Sequence, residues 1–550
     1  MNVESFLKNI EDSLKNHWDS PALTDFNGET VTYGQVARKI AELHVVFEVF
    51  NIQKGDRVAI VGRNSSNWGI SFLAAVTYGA VAVPVLHEFT PDDIHHIVSH
   101  SESKILFAGK YSLDSLDFSL MPYLETIVLI DDFSFAGSRK ISIEEAKKIF
   151  AASVREKYPS EFSHRHVEYH RDGREETAMI SYTSGTTGYS KGVMLPYRSL
   201  LSNMLFAKTA LSELKHGDNV VSMLPMAHMY GLAFEFLYEF IVGCHIRFLS
   251  RLPTPKIILD AFASVKPRII VSVPLVIEKI FRKQLLPAIN RPFVKTALRL
   301  PAVDRRILRR INERLTDLFG GNFLEVIIGG AAFDPVAEKF FRRIGFKYTV
   351  GYGMTECGPI IAYADWANIP LFSCGKAAPR MEIKIDSPDP ENIPGEILTR
   401  GDNVMLGYYK NPEATEEALA GGWLHTGDLG IIDKNGYLYI KGRSKNMLLG
   451  ANGQNIYPEE IESRLNNAKY VAESLVLESH GKIVALVYPD RDAVDAENLS
   501  ESDLLEKLDK TRLEINTRLP PYSQIARIKI QAAEFEKTPK KSIKRYLYTK

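Results

Sequence analysis

Hydrophobic positions in the first half of the chain follow two alternating patterns. Segments with apolar residues at helical spacing are separated by short β-branched runs: V-A-I-V (Val58–Val61), V-A-V-P-V (Val81–Val85) and K-I-L-F-A (Lys104–Ala108). That alternation predicts β-α units and an α/β sheet. The same style returns at R-I-I-V-S-V (Arg268–Val273) and L-E-V-I-I-G-G (Leu324–Gly330), each after a helical segment. The longest apolar stretch, Phe72 to Val85, is interrupted by Gly79 and Pro84 and is too short to span a bilayer. It reads as a core helix running into a buried strand.

Beyond Pro379 the grammar changes. Short strands separated by P-G, N-G and G-D turns, as in I-P-G-E-I-L-T-R and D-K-N-G-Y-L-Y-I-K-G-R, predict a compact, mainly β section. The chain then closes on a small α+β region, with a helix from near Pro458, a strand over Ile483–Tyr488 and a charged helix over roughly Glu501 to Leu519. No internal repeat or low-complexity tract interrupts this order.

A chain of 550 residues exceeds the size at which one core stops growing, so more than one domain is expected. Hydrophobic residues at 45% and a formal net charge of zero describe an ordinary globular protein without a global pull toward nucleic acid. Cys244, Cys357 and Cys374 form no C-x-x-C pair, neither a zinc pattern nor a disulfide framework, and predict a reducing, cytoplasmic setting. The start, M-N-V-E-S-F-L-K-N-I-E-D-S-L, mixes acids with apolar residues at helical spacing, unlike a signal peptide. One segment is locally basic: Arg291, Lys295, Arg299, Arg305, Arg306, Arg309, Arg310 and Arg314 lie among Phe293, Val294, Leu298, Leu300, Ile307 and Leu308. It could rest peripherally on an anionic membrane, such as an inner membrane surface. A solvated helical face is the stronger reading, because Pro301 interrupts the helix and no second anchor accompanies it.

The strongest chemical signal is Y-T-S-G-T-T-G-Y-S-K-G-V-M, Tyr182 to Met194, after the apolar stretch A-M-I-S. Glycines at 185, 188 and 192 let backbone approach a phosphate, the hydroxyls of Thr183, Ser184, Thr186 and Thr187 can bind its oxygens, and Lys191 adds positive charge. The G-x-x-x-x-G-K-[ST] order of a Walker A loop is absent. A plain Ser/Gly surface loop would have a similar composition.

That string closely resembles the signature of the adenylate-forming superfamily, which includes acyl-CoA synthetases, firefly luciferase and peptide-synthetase adenylation domains. Other strings fall in the order the resemblance requires, over essentially the whole chain. L-P-M-A-H-M-Y-G (Leu224–Gly231) resembles the motif whose histidine, here His228, sits beside the acyl pocket. Gly329, Gly330 and Ala331 resemble the strand-end turn near adenine and the acyl group. G-Y-G-M-T-E (Gly351–Glu356, with Gly353 and Met354) resembles the adenine and metal motif. The resemblance implies that Tyr352 stacks on the base, Thr355 contacts phosphate, and Glu356, with Thr183, holds Mg²⁺. G-E-I-L-T-R-G-D-N-V-M-L-G-Y-Y (Gly395–Tyr409), H-T-G-D-L-G (His425–Gly430) and G-R-S-K-N-M-L-L-G-A-N-G-Q-N-I-Y-P-E-E-I-E (Gly442–Glu462) complete the set.

The implied reaction explains the residue types. A carboxylate lacks a good leaving group, so it attacks the α-phosphate of ATP, releasing pyrophosphate; a thiol then attacks the acyl carbonyl of the mixed anhydride and AMP leaves. Triphosphate and carboxylate are both anionic, so Mg²⁺ on Glu356 and cations such as Lys191 must neutralise charge as the transition state forms. By resemblance Asp428 binds both ribose hydroxyls, assisted by Arg443. The resemblance further implies a large domain over 1–442, a small mobile α+β domain over 443–550, and a hinge at Lys445. Rotation about that hinge would bring Gly450, Gly453, Gln454 and Asn455 inward to line a pantetheine tunnel. The form G-R-x-K-N, with Asn446 in place of an acid, resembles the long-chain acyl-CoA synthetases.

One departure stands near the C-terminus, where E-K-T-P-K-K-S-I-K-R-Y-L-Y resembles the family's T-P-x-x-K-I-x-R end. The lysine that bridges carboxylate and α-phosphate falls in register on Ser542, with Lys540, Lys541 or Lys544 as substitutes. Strand alternation puts Lys540 and Lys544 on the face of Ser542. Ser190, where relatives often carry proline, is a smaller departure.

The expected function is therefore an ATP-dependent fatty acid–CoA ligase with ATP, Mg²⁺ and coenzyme A as cofactors and co-substrate. The aromatic run G-L-A-F-E-F-L-Y-E-F-I-V-G after His228 suits an aliphatic tail. Its alternatives are an acyl-AMP ligase serving a carrier protein, an adenylation-impaired acyl/nucleotide-binding protein, and, remotely, a luciferase. A fatty acid or other apolar carboxylate and CoA are the expected partners, with no nucleic acid; a homodimer is left open.

Overall fold

The computed structural model describes residues 2–26, 28–183, 190–249, 254–289, 301–449, 455–479, 482–538 and 543–548. The β-branched runs form the centre of an eight-stranded sheet. Its order is Gly407–Tyr408, Lys191–Pro196, Thr177–Thr183, Val81–Val85, Arg57–Val61, Ser103–Ala108, Thr126–Leu129, Phe135–Ser138. The five strands from Thr177–Thr183 to Thr126–Leu129 are parallel, and the flanking ones are antiparallel. Every residue of Val81–Val85 is buried, as expected for a parallel strand covered on both faces. The helix that feeds it, Ser66–Tyr78, ends on Gly79 at φ +87°, a left-handed cap that favours glycine. A four-stranded sheet includes Asn219–Ser222 and His245–Phe248, and a parallel three-stranded one joins Ile270–Ser272, Val326–Ile328 and Tyr348–Val350.

Past Pro379 lies an antiparallel four-stranded sheet: Met381–Asp386, Gly395–Gly401, Leu424–Ile432 and Leu438–Arg443. One hydrophobic core draws on residues from Phe6 to Leu438, and a second on residues from Ile456 to Ile528. The second core packs helices Pro458–Leu465 and Glu501–Asn516 on strands Val471–Ser479, Lys482–Pro489 and Ile525–Ile530. The architecture is thus mixed α/β, with a large N-terminal part and a small C-terminal α+β part. The charged helix stops at Asn516 rather than Leu519. All three cysteines are buried and free.

The helix Pro301–Leu318 opens on Pro301, consistent with proline's suitability for a first turn. Leu308 and Leu315 of that helix face inward while Arg305, Arg306, Arg309, Arg310 and Arg314 are exposed, and Arg309 pairs with Glu313 at 2.9 Å, as on a solvated face. Residues 291–300 of the basic segment lie outside the described residues. Among the described residues no helix is long and apolar enough to cross a membrane.

The aromatic run after His228 forms helix Met229–Leu232, a π-turn Ala233–Leu237 and helix Tyr238–Val242. Phe236 and Phe240 are fully buried, and Phe236 packs on Phe240 and Phe248. Part of the run is therefore core, leaving fewer aromatics to face a ligand than the sequence implies. Glu239 is fully buried there, and neither carboxylate oxygen has a hydrogen-bond partner among the described residues. Burial pushes its carboxyl up to about 8. The native state keeps a proton that the unfolded chain releases above 4.5, so Glu239 costs no charge burial below that pH and an increasing amount up to about 8. Each pH unit in the window costs up to about 1.4 kcal/mol. Glu239→Gln is expected to raise the thermal midpoint above about pH 8 and to change it little below 4.5; an equal effect at both ends would refute the titration.

Candidate active site

The glycine-rich segment joins two antiparallel strands of the large sheet, Thr177–Thr183 and Lys191–Pro196, with Thr183 opposite Lys191. Ser184, Gly185, Thr186, Thr187 and Gly188 lie outside the described residues. Both flanks are fixed. Tyr182 is buried with its hydroxyl 2.8 Å from His100 Nδ1. A Cβ on Gly192 would stand 2.9 Å from Ile180 Cγ2 and 3.1 Å from the Tyr182 ring, so only glycine fits without displacement. Lys191 Nζ lies 4.8 Å from the centre of the Tyr408 ring.

Glu356 lies in a short 3-10 turn, Thr355–Cys357, after the strand Tyr352–Gly353. That turn folds back tightly: Met354 N–H donates to Pro359 O, and a Cβ on Gly353 would meet that oxygen at 2.2 Å. Glu356 is 8% exposed, and its Oε1 accepts the Tyr408 hydroxyl at 3.0 Å. Among the described residues no group of three or more His, Cys, Asp or Glu could hold a metal alone. One carboxylate is nonetheless the donor set that Mg²⁺ uses when substrate phosphates supply the other oxygens, so Glu356 fits that role.

Asp428 and Arg443 are paired across adjacent antiparallel strands. Asp428 Oδ1 receives Arg443 Nε at 2.6 Å, and Oδ2 accepts the Tyr352 hydroxyl at 2.7 Å. Burial raises the Asp428 carboxyl above its ordinary range; Arg443 and Tyr352 oppose that, while nearby Glu356 and Glu459 add to it. A carboxylate has about four lone-pair sites, so two protein donors leave room for the two hydroxyls of a diol. Tyr352 is 7% exposed, and its hydroxyl bond to Asp428 fixes the ring beside that carboxylate.

Gly329, Gly330 and Ala331 follow the strand Val326–Ile328, with Gly330 at φ +89°. The Tyr230 ring would lie 3.0 Å from a Cβ on Gly329, and the Tyr230 hydroxyl donates to Ile327 O at 3.1 Å. Tyr230 also meets Phe234, and ring contacts continue from Phe234 through Phe206 to Tyr363 within the core. His228 N-caps helix Met229–Leu232 through its backbone. The loop before it is clamped from outside. Glu235 Oε2 accepts Met223 N–H at 2.9 Å and Leu224 N–H at 2.8 Å, and Asn64 takes Met226 N–H while donating to Leu224 O.

Lys445 is exposed in a single turn, Ser444–Asn446. Its neighbours bond in opposite directions: Ser444 Oγ donates to Gly427 O at 3.1 Å, and Asn446 Nδ2 donates to Glu459 Oε1 at 2.7 Å. Lys445 thus stands between a tie to the large part and a tie to the small part. Gly453, Lys540 and Lys541 lie outside the described residues. Tyr408, Asn64, Glu235 and His100 were not singled out from sequence; only Tyr408 had a signal, the G-Y-Y string that it shares.

The AMP-binding enzyme profile matches residues 10–409, and the AMP-binding enzyme C-terminal domain profile matches 445–550. The long-chain-fatty-acid–CoA ligase FadD15 of Mycobacterium bovis is 27% identical over 94% of this chain and 90% of its own. The peroxisomal long chain acyl-CoA synthetase 7 of Arabidopsis thaliana is 29% identical over 87% of this chain and 71% of its own. Among solved structures, the anthranilate CoA ligase AuaEII in complex with anthranoyl-AMP superposes with TM-score 0.79 at 20% identity, covering 100% of this chain and 97% of that one. ATP-bound MatB from Rhodopseudomonas palustris gives 0.76 at 23%, covering 100% and 98%.

Proposed function

The chain belongs to the AMP-binding enzyme family, and on that premise we propose that it is an acid–thiol ligase joining a fatty acid to coenzyme A through an acyl-adenylate. The observation that carries the reading is the convergence of Tyr352, Asp428 and Arg443 in one contact set and of Glu356, Tyr408 and Lys191 in another, close enough for Glu356 to influence Asp428. In this reading the first set holds the ribose and adenine. The second faces the triphosphate, where Glu356 would hold Mg²⁺, with Thr183, Thr355 and the glycine-rich segment beside the phosphates. Mg²⁺, when bound, supplies charge neutralisation at the phosphate oxygens.

A fatty acid is favoured over a polar acid by the apolar, aromatic character of the run after His228, from which Tyr230 packs against Gly329. Relatives named as long-chain acyl-CoA ligases point the same way. In this reading the large domain ends at 442 and a small mobile domain begins at 443, with Lys445 as the hinge; the opposed ties of Ser444 and Asn446 support it.

The test is ATP–pyrophosphate exchange across a panel of carboxylates, followed by CoA-dependent thioester formation. Exchange is expected with aliphatic acids and not with compact dicarboxylates, and free CoA is expected to accept the acyl group. Absence of exchange at saturating Mg²⁺ would refute an adenylate-forming enzyme. Exchange followed by transfer only to acyl carrier protein would refute the acceptor.

A further inference from the structure

Tyr408 touches both charged groups of the proposed phosphate site, and its own position is set by backbone. Gly407 and Tyr408 pair with Met194 and Val193, on the strand that carries Lys191. Leu406 N–H donates to Met194 O, Tyr409 N–H donates to Gly192 O, and Tyr408 N–H donates to Thr415 Oγ1 at 2.9 Å. A Cβ on Gly407 would stand 2.5 Å from Thr415 Cγ2, so the approach of this segment to its helix depends on glycine. None of these ties uses the phenol. Its two faces of chemistry are directed elsewhere: the hydroxyl donates to Glu356 Oε1 at 3.0 Å, and the ring holds Lys191 Nζ at 4.8 Å.

We propose that Tyr408 is a positioning residue coupling the two halves of the phosphate site, its hydroxyl orienting the Glu356 carboxylate for Mg²⁺ and its ring holding the Lys191 ammonium in reserve for the triphosphate. The inference rests on the adenylation reading above. A hydroxyl bonded to Oε1 fixes the carboxylate rotamer and leaves Oε2 as the oxygen offered to a cation, the usual office of a partner behind a metal-binding carboxylate. The contact of an ammonium with a ring face is weak where water can reach it, so Lys191 can transfer to phosphate at little cost. Lys191 and Glu356 otherwise belong to elements far apart in sequence, and Tyr408 bridges them through the edge strand Gly407–Tyr408.

Two variants separate the two contacts. Tyr408→Phe keeps the ring and removes the hydroxyl. It is expected to raise the half-saturating Mg²⁺ concentration for pyrophosphate exchange by about 10- to 100-fold, with activity restored by excess Mg²⁺ and the KM for ATP at saturating Mg²⁺ unchanged. Tyr408→Leu removes both and should in addition raise that KM about 2- to 5-fold. Calorimetric binding of a non-hydrolysable β,γ-imido analogue of ATP during a Mg²⁺ titration should show the same shift without turnover. A role confined to packing would lower the melting temperature and activity without moving either Mg²⁺ curve, and that result overturns the proposal. If the wild type exchanges no pyrophosphate, the adenylation reading fails, and the calorimetric curves still decide Tyr408: superimposable curves for wild type and Tyr408→Phe overturn it.

Discussion

Glu356→Gln is expected to reduce ATP–pyrophosphate exchange by about 10²- to 10³-fold, the range for removing a preorganised electrostatic contact to a developing charge. The fold should survive. Gln is isosteric, its amide oxygen can still accept the Tyr408 hydroxyl, and the bond from Met405 N–H to residue 356 uses the backbone carbonyl. What is lost is the negative charge that a divalent cation needs between the protein and the triphosphate. The effect should therefore appear in the Mg²⁺ dependence as well as in the rate. Circular dichroism melting checks the fold, and exchange at increasing Mg²⁺ checks the site. Full activity at saturating Mg²⁺ would remove Glu356 from the metal assignment.

The parts of this molecule legible in sequence are those that local pattern decides. Val58–Val61, Val81–Val85 and Lys104–Ala108 all fall in strands of the central sheet, since short β-branched runs between helices leave few other states. Pro458 opens its helix for the same local reason. Sheet order was not legible. Gly407–Tyr408 pairs with Lys191–Pro196 across more than two hundred positions of chain, and no local signal marks such a partner.

Legibility of the site follows the same division. Glycine-rich and acidic strings announce Lys191, Glu356 and Asp428, whereas the side chains that hold them belong to other elements. Tyr408 supports Glu356, His100 contacts Tyr182, and Asn64 with Glu235 clamps the loop before His228. Glu235 and Glu239 carry the sharpest lesson. They sit in a run that reads as aromatic and apolar, and both are fully buried; the carboxylate of Glu235 caps two backbone N–H groups of another segment. Burying a carboxylate is costly unless it has such a task, and sequence alone does not reveal the task.

The cation missing at Ser542 leads to the second large effect. Of the substitutes Lys540, Lys541 and Lys544, only Lys544 is among the described residues, and basic residues around it make contacts within the small part. Lys537 pairs with Glu473 and Glu534, both at 2.6 Å, and Arg545 pairs with Glu462. Lys544 lies 3.7 Å from Glu536 and also donates its backbone N–H to Glu536 O. Lys537 and Ile543 form a bridge, and Lys540, Lys541 and Ser542 lie outside the described residues; the T-P-K-K turn keeps Lys540 and Lys541 as the preferred candidates. Lys540→Ala or Lys541→Ala is expected to slow the adenylation half-reaction about 10²-fold, corresponding to about 3 kcal/mol of electrostatic stabilisation. Lys544→Ala should have little effect on it. Transfer of a preformed acyl-adenylate to CoA should persist in all three variants, since by then the carboxylate and α-phosphate are already joined. The converse variant, Ser542→Lys, should accelerate adenylation if the position merely lacks its usual charge. Single-turnover assays of each half-reaction distinguish these outcomes. If no lysine replacement slows adenylation and Ser542→Lys gains nothing, no cation from this segment bridges carboxylate and phosphate, and the neutralising charge comes from elsewhere in the chain.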